Sequence, residues 1–410
     1  MIQMHDTNKT PSINKVSMLI LALLPILSWY KIPFPVSLGY AIILFLSAYT
    51  IVKAGFRINV VPTIFWIVFA YVCFMWIYNH GFAFWTLLPP GGWVFFIFVL
   101  AILWGVISFD MGLFKKYMRW VVMISGVLFW IQLALYTATG NQQICFVPNL
   151  TGAFTYEDYT YADIVKRQLD GGLPCSIFLE KSYLAYYFLT YLAIIWFDNK
   201  NKLFSKEIIF VIATLIASRS GTALVGFVVL FAVKMFSTFW NKNVRKRILL
   251  IFFIVPLIVG AFYVYAETEL GQQMLSRTEE LSDEGTSGYA RVVNGYMMFD
   301  QLTPEQKVFG ISDARERFGY EKKSGAFVFY VNGVQSILLN LGYIGILLYF
   351  LFYANVFHKV GLTSRMCVVV LLVMSLLEAN YLNSYMMLLT IIPCAEVYLK
   401  RNVSITKYYN

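Results

Sequence analysis

The sequence predicts an all-α polytopic membrane protein, and three observations carry the prediction. Of 410 residues, 59% are hydrophobic and 13% charged, whereas an ordinary soluble domain is about half apolar and roughly 25% charged. Apolar runs of roughly 16–22 residues recur along the whole chain, long enough as helices to cross ~30 Å of hydrocarbon. The scarce basic residues fall in every second gap between these runs, as topology signals do. Length alone suggests two or three globular domains; the pattern replaces them with one integral membrane domain over residues 1–410.

Taken in order, the runs define about twelve spans. The first, 16–30, is followed by Pro33 and Pro35 with no small-residue cleavage site, so it reads as an uncleaved helix. Residues 36–52 close on Lys53 and Arg57, 60–78 and 93–109 follow, and 120–137 begins after Lys115, Lys116 and Arg119. Beyond a long polar gap comes 183–197, then 208–217, which spans only by including Ser218, Arg219 and Ser220 at its exit. Residues 222–240 and 248–266 precede a second long gap, and 336–357, 366–381 and 385–399 complete the set.

Of the 32 basic residues, 19 occupy one set of gaps, whereas the short gaps of the other set hold only Lys31 and Arg219. Because cytoplasmic loops carry the Lys and Arg excess, both termini are expected in the cytoplasm. The net charge of +10 then reports topology and does not point to nucleic acid. Two long segments, 138–182 and 267–335, fall on the outer side and contain most of the acids. Long polar loops are uncommon unless functional, so the chemistry is expected there.

Cys73, Cys367 and Cys394 lie in apolar runs and read as small core residues, while Cys145 and Cys175 share the first outer loop. A disulfide between those two and a pair of separate thiols are both open, since their geometry is not legible from sequence. No CxxC, HExxH, Walker loop, GxGxxG or outer-loop DxD occurs, and His5, His80 and His358 are scattered. A metal-independent site with no cofactor is therefore expected.

Several ordered elements carry a resemblance. The first loop exits through Gly172-Leu-Pro-Cys-Ser-Ile-Phe-Leu-Glu180-Lys-Ser182-Tyr-Leu-Ala185, and Ala217-Ser218-Arg219-Ser220-Gly221 opens another span. Arg291 is followed by Lys307-Val-Phe-Gly310-Ile, then Tyr330-Val-Asn332-Gly-Val-Gln335, then Leu341-Gly342-Tyr-Ile-Gly345. These resemble the "FLEPSxxA" signature, the "SRSG" element, and the arginine helix, "fGxG" turn and "N…L…lGxxG" helix entry of Wzy-type O-antigen and capsule polysaccharide polymerases. The resemblance covers residues 171–345, with departures at Lys181 for the usual proline and Ser312 for the second glycine of the turn. It implies a GT-C-like architecture of the O-antigen polymerase/ligase superfamily in the bacterial inner membrane. It implies a reaction that joins undecaprenyl-pyrophosphate-linked oligosaccharide repeat units on the periplasmic face. A chain-length regulator and a flippase would be partners in the same pathway.

Such chemistry must stabilise a departing lipid pyrophosphate and remove a proton from the acceptor hydroxyl. A guanidinium stays charged and forks onto phosphate oxygens, and preorganised donors are worth ~3–4 kcal/mol each in a dry site. Arg219 is the sharpest candidate for the first task, with Ser218, Ser220 and the start of the span at Thr222 as further anion donors, against a snorkelling arginine that merely ends a span. Arg291 matches the family position, and Arg167 and Arg277 are further outer guanidiniums; each competes with a solvated face. Glu180, where loop meets membrane, is the candidate general base or acceptor-orienting group, and an ion pair is the alternative. Glu378, late in an apolar run, is a second carboxylate or a partner for Arg219, and Asn332 joins the substrate-binding set by its place in the last motif. Tyr183, Tyr186, Tyr187 and Tyr191 read as membrane-interface residues, with stacking on sugars as the alternative, and Lys234 as a snorkelling lysine.

The nearest rival function is an O-antigen ligase, whose pattern carries a histidine where this chain has Val331. A transporter of lipid-linked oligosaccharide is the rival of another class, but no internal repeat of the kind transporters show is found.

Overall fold

The computed structural model describes residues 12–28, 30, 37–55, 61–81, 90–141, 174–178, 180–198, 205–240, 289–321, 327–328, 331–377 and 383–409. The expected span 248–266 lies outside the described residues, as do Arg167, Arg277, Glu378 and Cys145.

Long apolar runs fold as helices because a helix satisfies every interior backbone group within its own segment. In chain order these are α1 Ser12–Leu27, α2 Leu38–Ala54, α3 Thr63–His80, α4 Pro90–Ser108, α5 Met111–Thr139, α6 Lys181–Asp198, α7 Lys206–Ala217 and α8 Gly221–Trp240. A π-helical turn, Ala290–Asn294, then leads into three short helices, α9 Gly295–Asp300, α10 Pro304–Phe309 and α11 Ala314–Phe318. After a two-residue antiparallel ladder, β1 Tyr320–Glu321 with β2 Phe327–Val328, come α12 Gly333–Lys359, α13 Leu362–Leu377 and α14 Ser384–Tyr409. Eleven of the expected span positions thus carry helix, and the described part of the second long loop is a string of short helices. Helix α5 begins at Met111, ahead of the apolar run, because Asp110 caps it by accepting the Leu113 N–H at 2.9 Å.

Two long helices turn apolar side chains outward. Helix α5 exposes Trp120, Ile124, Val127, Ile131 and Leu135 on one face, and α12 exposes Tyr343, Leu347, Phe350 and Leu351. Spacings of three and four residues make each set a continuous stripe, and a soluble protein does not show such stripes to water. Both helices are long and apolar enough to cross a bilayer by length and composition. The architecture fits an all-α membrane protein.

At the centre stands α6, apolar all round and buried from Tyr183 to Ile194. It packs against α5, α7, α8 and α13. Tyr183, Tyr186, Tyr187 and Tyr191 are each at most 7% exposed, which corrects the expectation that they sit at a membrane interface. Their rings fill the bundle: Tyr385 stacks on Tyr183 at 5.7 Å, and the Tyr187 hydroxyl donates to the Ala22 carbonyl at 2.7 Å.

Helix directions alternate, so the starts of α6, α8, α12 and α14 share one end of the bundle, the upper end, with the ends of α3, α7 and α13. The lower end is held by cations on carbonyls and carboxylates. Lys115 pairs with Asp198 and Arg119 with Glu207. Arg365 Nε donates to the Phe357 and Val360 carbonyls at 3.0 and 3.1 Å, and Lys400 Nζ to the Lys359 carbonyl at 3.1 Å. Lys234, expected to snorkel, is 4% exposed and donates to the Trp196 carbonyl in the last turn of α6. Orphan carbonyls and the negative end of the helix dipole attract a cation there.

Candidate functional site

The described motif residues gather at the upper end. Between α7 and α8 the chain turns through Ser218, Arg219 and Ser220. Arg219 adopts φ +47°, a left-handed conformation that costs a non-glycine residue roughly 1–2 kcal/mol. Its side chain is exposed and makes no hydrogen bond or ion pair among the described residues. Ser218, fully buried, donates its hydroxyl proton to the Leu215 carbonyl at 2.7 Å and so serves as a helix-end cap. Ser220, 5% exposed, accepts the Leu224 N–H on its carbonyl at 3.1 Å and enters α8. The first amides of α8 therefore open beside Arg219, a place that favours anions.

Glu180 heads α6. Its carbonyl accepts the Tyr183 and Leu184 amides at 3.1 and 3.2 Å, and its carboxylate accepts the Ser182 hydroxyl at 3.3 Å. Lys181, where the resembled motif has proline, is the first residue of the helix. Proline is favoured at that position because the amide has no intrahelical partner, so the departure leaves the helix start unchanged. The strand of chain before Glu180 is pinned to α5: Ser176 takes φ +57°, donates its hydroxyl to the Ser125 carbonyl at 2.6 Å, and its amide to Gln132 Oε1 at 2.9 Å. Cys175 is buried beside it.

The remaining motifs build a clasp. Helix α12 breaks at Gly342 (φ +64°, ψ −164°), and the segment after α10 crosses it there. Carbonyls near the break find donors outside the helix: Leu339 accepts the Ile311 amide at 3.0 Å and Asn340 the Ser312 amide at 2.9 Å. The Tyr71 hydroxyl from α3 lies 2.9 Å from the Leu341 carbonyl and 3.0 Å from that of Phe309, sharing its one proton between them. The two backbones approach so closely that a Cβ at Gly310 would lie 2.3 Å from the Asn340 oxygen, and one at Gly342 2.3 Å from the Val308 oxygen. Glycine is required at both by contact and by positive φ. Ser312, standing where the resembled turn has its second glycine, takes φ +62° itself. It is held by donating to the Met75 carbonyl at 2.9 Å and accepting Asn79 Nδ2 at 2.6 Å.

Asn332, expected among substrate-binding residues, is 4% exposed and caps α12. Its Oδ1 accepts the Gln335 amide at 2.8 Å, and Gln335 Oε1 accepts the Asn332 amide at 3.1 Å, a reciprocal capping box. Arg291 falls within the π turn, which α12 touches through Gln335 Nε2 donating to the Val292 carbonyl at 3.0 Å. Sequence reasoning missed Tyr71, Asn79 and Gln335. Tyr71, Met75 and Asn79 recur every four residues on one face of α3, and Asn-x-x-Gln before an apolar run is a helix-start signal; both signals were present. Among the described residues no group of three His, Cys, Asp or Glu side chains converges as a metal site would.

A helical bundle that turns apolar stripes outward fits the class of all-α membrane proteins. The chain belongs to the WcaD colanic acid polymerase family, whose model matches residues 15–397. Comparison with curated proteins and with solved structures gave no match. Membership makes the chain a glycosyltransferase-like polysaccharide polymerase and implies a lipid-linked oligosaccharide as its substrate.

Proposed function

We propose that the chain joins undecaprenyl-pyrophosphate-linked oligosaccharide repeat units on the periplasmic face of the bacterial inner membrane, without a resident metal and with both termini in the cytoplasm. The observation that carries the proposal is Arg219: exposed, without a polar partner among the described residues, and held in a disfavoured backbone conformation at the start of α8. Strain of this kind persists where surrounding structure over-determines it, and it clusters at active sites and ligand clamps. In this reading the Arg219 guanidinium and the first amides of α8 bind the departing pyrophosphate, with Ser220 beside them. Arg291, Arg167 and Arg277 supply further positive charge along the donor. Glu180 accepts the proton of the attacking sugar hydroxyl or orients that hydroxyl, and Glu378 is the second carboxylate. The new glycosidic bond forms as the bond to pyrophosphate breaks, so charge develops where the guanidiniums stand. Family membership favours this polymerase over the ligase alternative.

Deletion of the gene tests the proposal. Polymer should disappear while single lipid-linked repeat units accumulate; polymer of normal length on a gel would overturn it. Complementation with Arg219→Ala at normal membrane level should fail to restore polymer, and restoration would remove Arg219 from the mechanism. The same comparison with Glu180→Gln decides the role of the carboxylate.

A further inference from the structure

The capping box accounts for only part of what Gln335 does. A cap at this position needs an acceptor for the Asn332 amide, and Gln335 Oε1 supplies it at 3.1 Å. Glutamate would serve equally well there. The other half of the side-chain amide, Nε2, points away from the cap and donates 3.0 Å to the Val292 carbonyl. That carbonyl belongs to the π turn Ala290–Asn294. Such turns are rare single insertions, enriched at functional sites, and one extra residue rotates the chain before it by roughly 100° relative to the helix that follows. Gln335 is fully buried, and Gly295, the first residue after the turn, lies against it: a Cβ there would come within 2.6 Å of the Gln335 Cβ, Cδ and Oε1. The turn is thus set by a buried amide and by a glycine that leaves room for it.

From this we infer that Gln335 is a positioning residue for the polymerase reaction, holding the π turn and so fixing the backbone at position 291. The inference rests on the role given to Arg291 above. It explains why the capping box uses glutamine: the donor is needed by Val292, and a carboxylate at the same place keeps the cap and loses the donor.

The test uses the full chain in membranes of a strain lacking its own copy, with polymer yield and the melting temperature of the purified protein as readouts. Gln335→Glu sets a buried carboxylate oxygen against the Val292 carbonyl, so it should lower the melting temperature and lower polymer yield about ten- to a hundredfold, the scale of a small misplacement at a reacting centre. Gly295→Ala, whose added Cβ displaces the same side chain together with its cap acceptor Oε1, should do likewise. In an Arg291→Lys background, Gln335→Glu should add less than about a threefold loss, because residues that act as a unit are not additive. Parental yield from both Gln335→Glu and Gly295→Ala, or a full multiplicative loss in the Arg291→Lys background, would overturn the inference. If Arg291→Ala alone keeps parental yield, the role of Arg291 itself has failed, and the route through Gln335 with it. An inactive Arg291→Ala beside a silent Gln335→Glu sinks only the positioning role.

Discussion

Gly342→Ala is the sharpest perturbation of the clasp, and its size follows from the geometry. Gly342 has φ +64° and ψ −164°, a region open almost only to glycine, so alanine costs about 1–3 kcal/mol there whatever its neighbours do. The added Cβ would also lie 2.3 Å from the Val308 oxygen, 2.5 Å from the Val308 carbonyl carbon and 2.6 Å from the Gly310 nitrogen, all backbone atoms that cannot rotate away. Two responses remain open. Overpacking strain is about 1–3 kcal/mol, while lifting the segment after α10 off the break surrenders hydrogen bonds from Ile311, Ser312 and Tyr71 at about 0.5–1.5 kcal/mol each. The two are comparable, so the total is about 2–6 kcal/mol by the first route and about 2.5–7.5 kcal/mol by the second. Gly140→Ala is the control, because Gly140 has φ +65° with nothing within 4 Å of an added Cβ. It carries only the left-handed penalty of about 1–2 kcal/mol. Melting in detergent should therefore fall clearly further for Gly342→Ala than for Gly140→Ala, with polymer yield lost in the former alone. Equal shifts, or an unchanged melting temperature for Gly342→Ala, would refute the close-approach account of the clasp.

Other outcomes follow from single contacts. Arg219→Gly should relieve the left-handed strain at φ +47°, leaving the melting temperature unchanged or raised by the equivalent of about 1 kcal/mol, yet abolish polymer; an active glycine variant would show that the turn and not the guanidinium matters. Tyr71→Phe should cost ~1 kcal/mol, since the Leu341 and Phe309 carbonyls lose their shared donor; an unchanged melting curve would mean that neither bond contributes. Gln132→Leu removes the acceptor of the buried Ser176 amide and should destabilise by about 1–3 kcal/mol. Greater protease sensitivity near residues 174–178 would accompany it, and a cleavage pattern like the parent's would argue against that pin.

The helices were legible because hydropathy is a local property. A run such as 183–197 folds as a helix whatever surrounds it, since its backbone groups pair within the run, and α6 occupies Lys181–Asp198. The membrane class was legible for the same reason, and the SRSG turn at Ala217–Gly221 by its resemblance to a family motif. The ends were less so: α5 starts at Met111 because Asp110 caps it, a hydrogen bond that hydropathy does not see.

Which face of a helix is buried depends on neighbours distant in sequence. The tyrosines of α6 carry the composition of an interface belt, and only the packing of neighbouring helices, α1 and α14 among them, encloses them. Lys234 looked like a snorkelling side chain because its own span says nothing of where α6 ends, and the Trp196 carbonyl that it meets belongs to another helix. The motif glycines and Asn332 were found by their order along the chain, but their role came from contact: Gly310 against the Asn340 backbone, Gly342 against Val308, Asn332 as a cap. Sequence by itself determined that this is a helical membrane protein with its polar motifs in a fixed order, because hydrophobic periodicity and turn chemistry act over one or two turns of chain. Only the tertiary structure decided which of those residues are tied into caps and close backbone contacts and which are exposed. Tyr71 meets the Leu341 carbonyl across 270 positions, and a hydrogen bond at 2.9 Å between such residues exists only once the helices between them have packed.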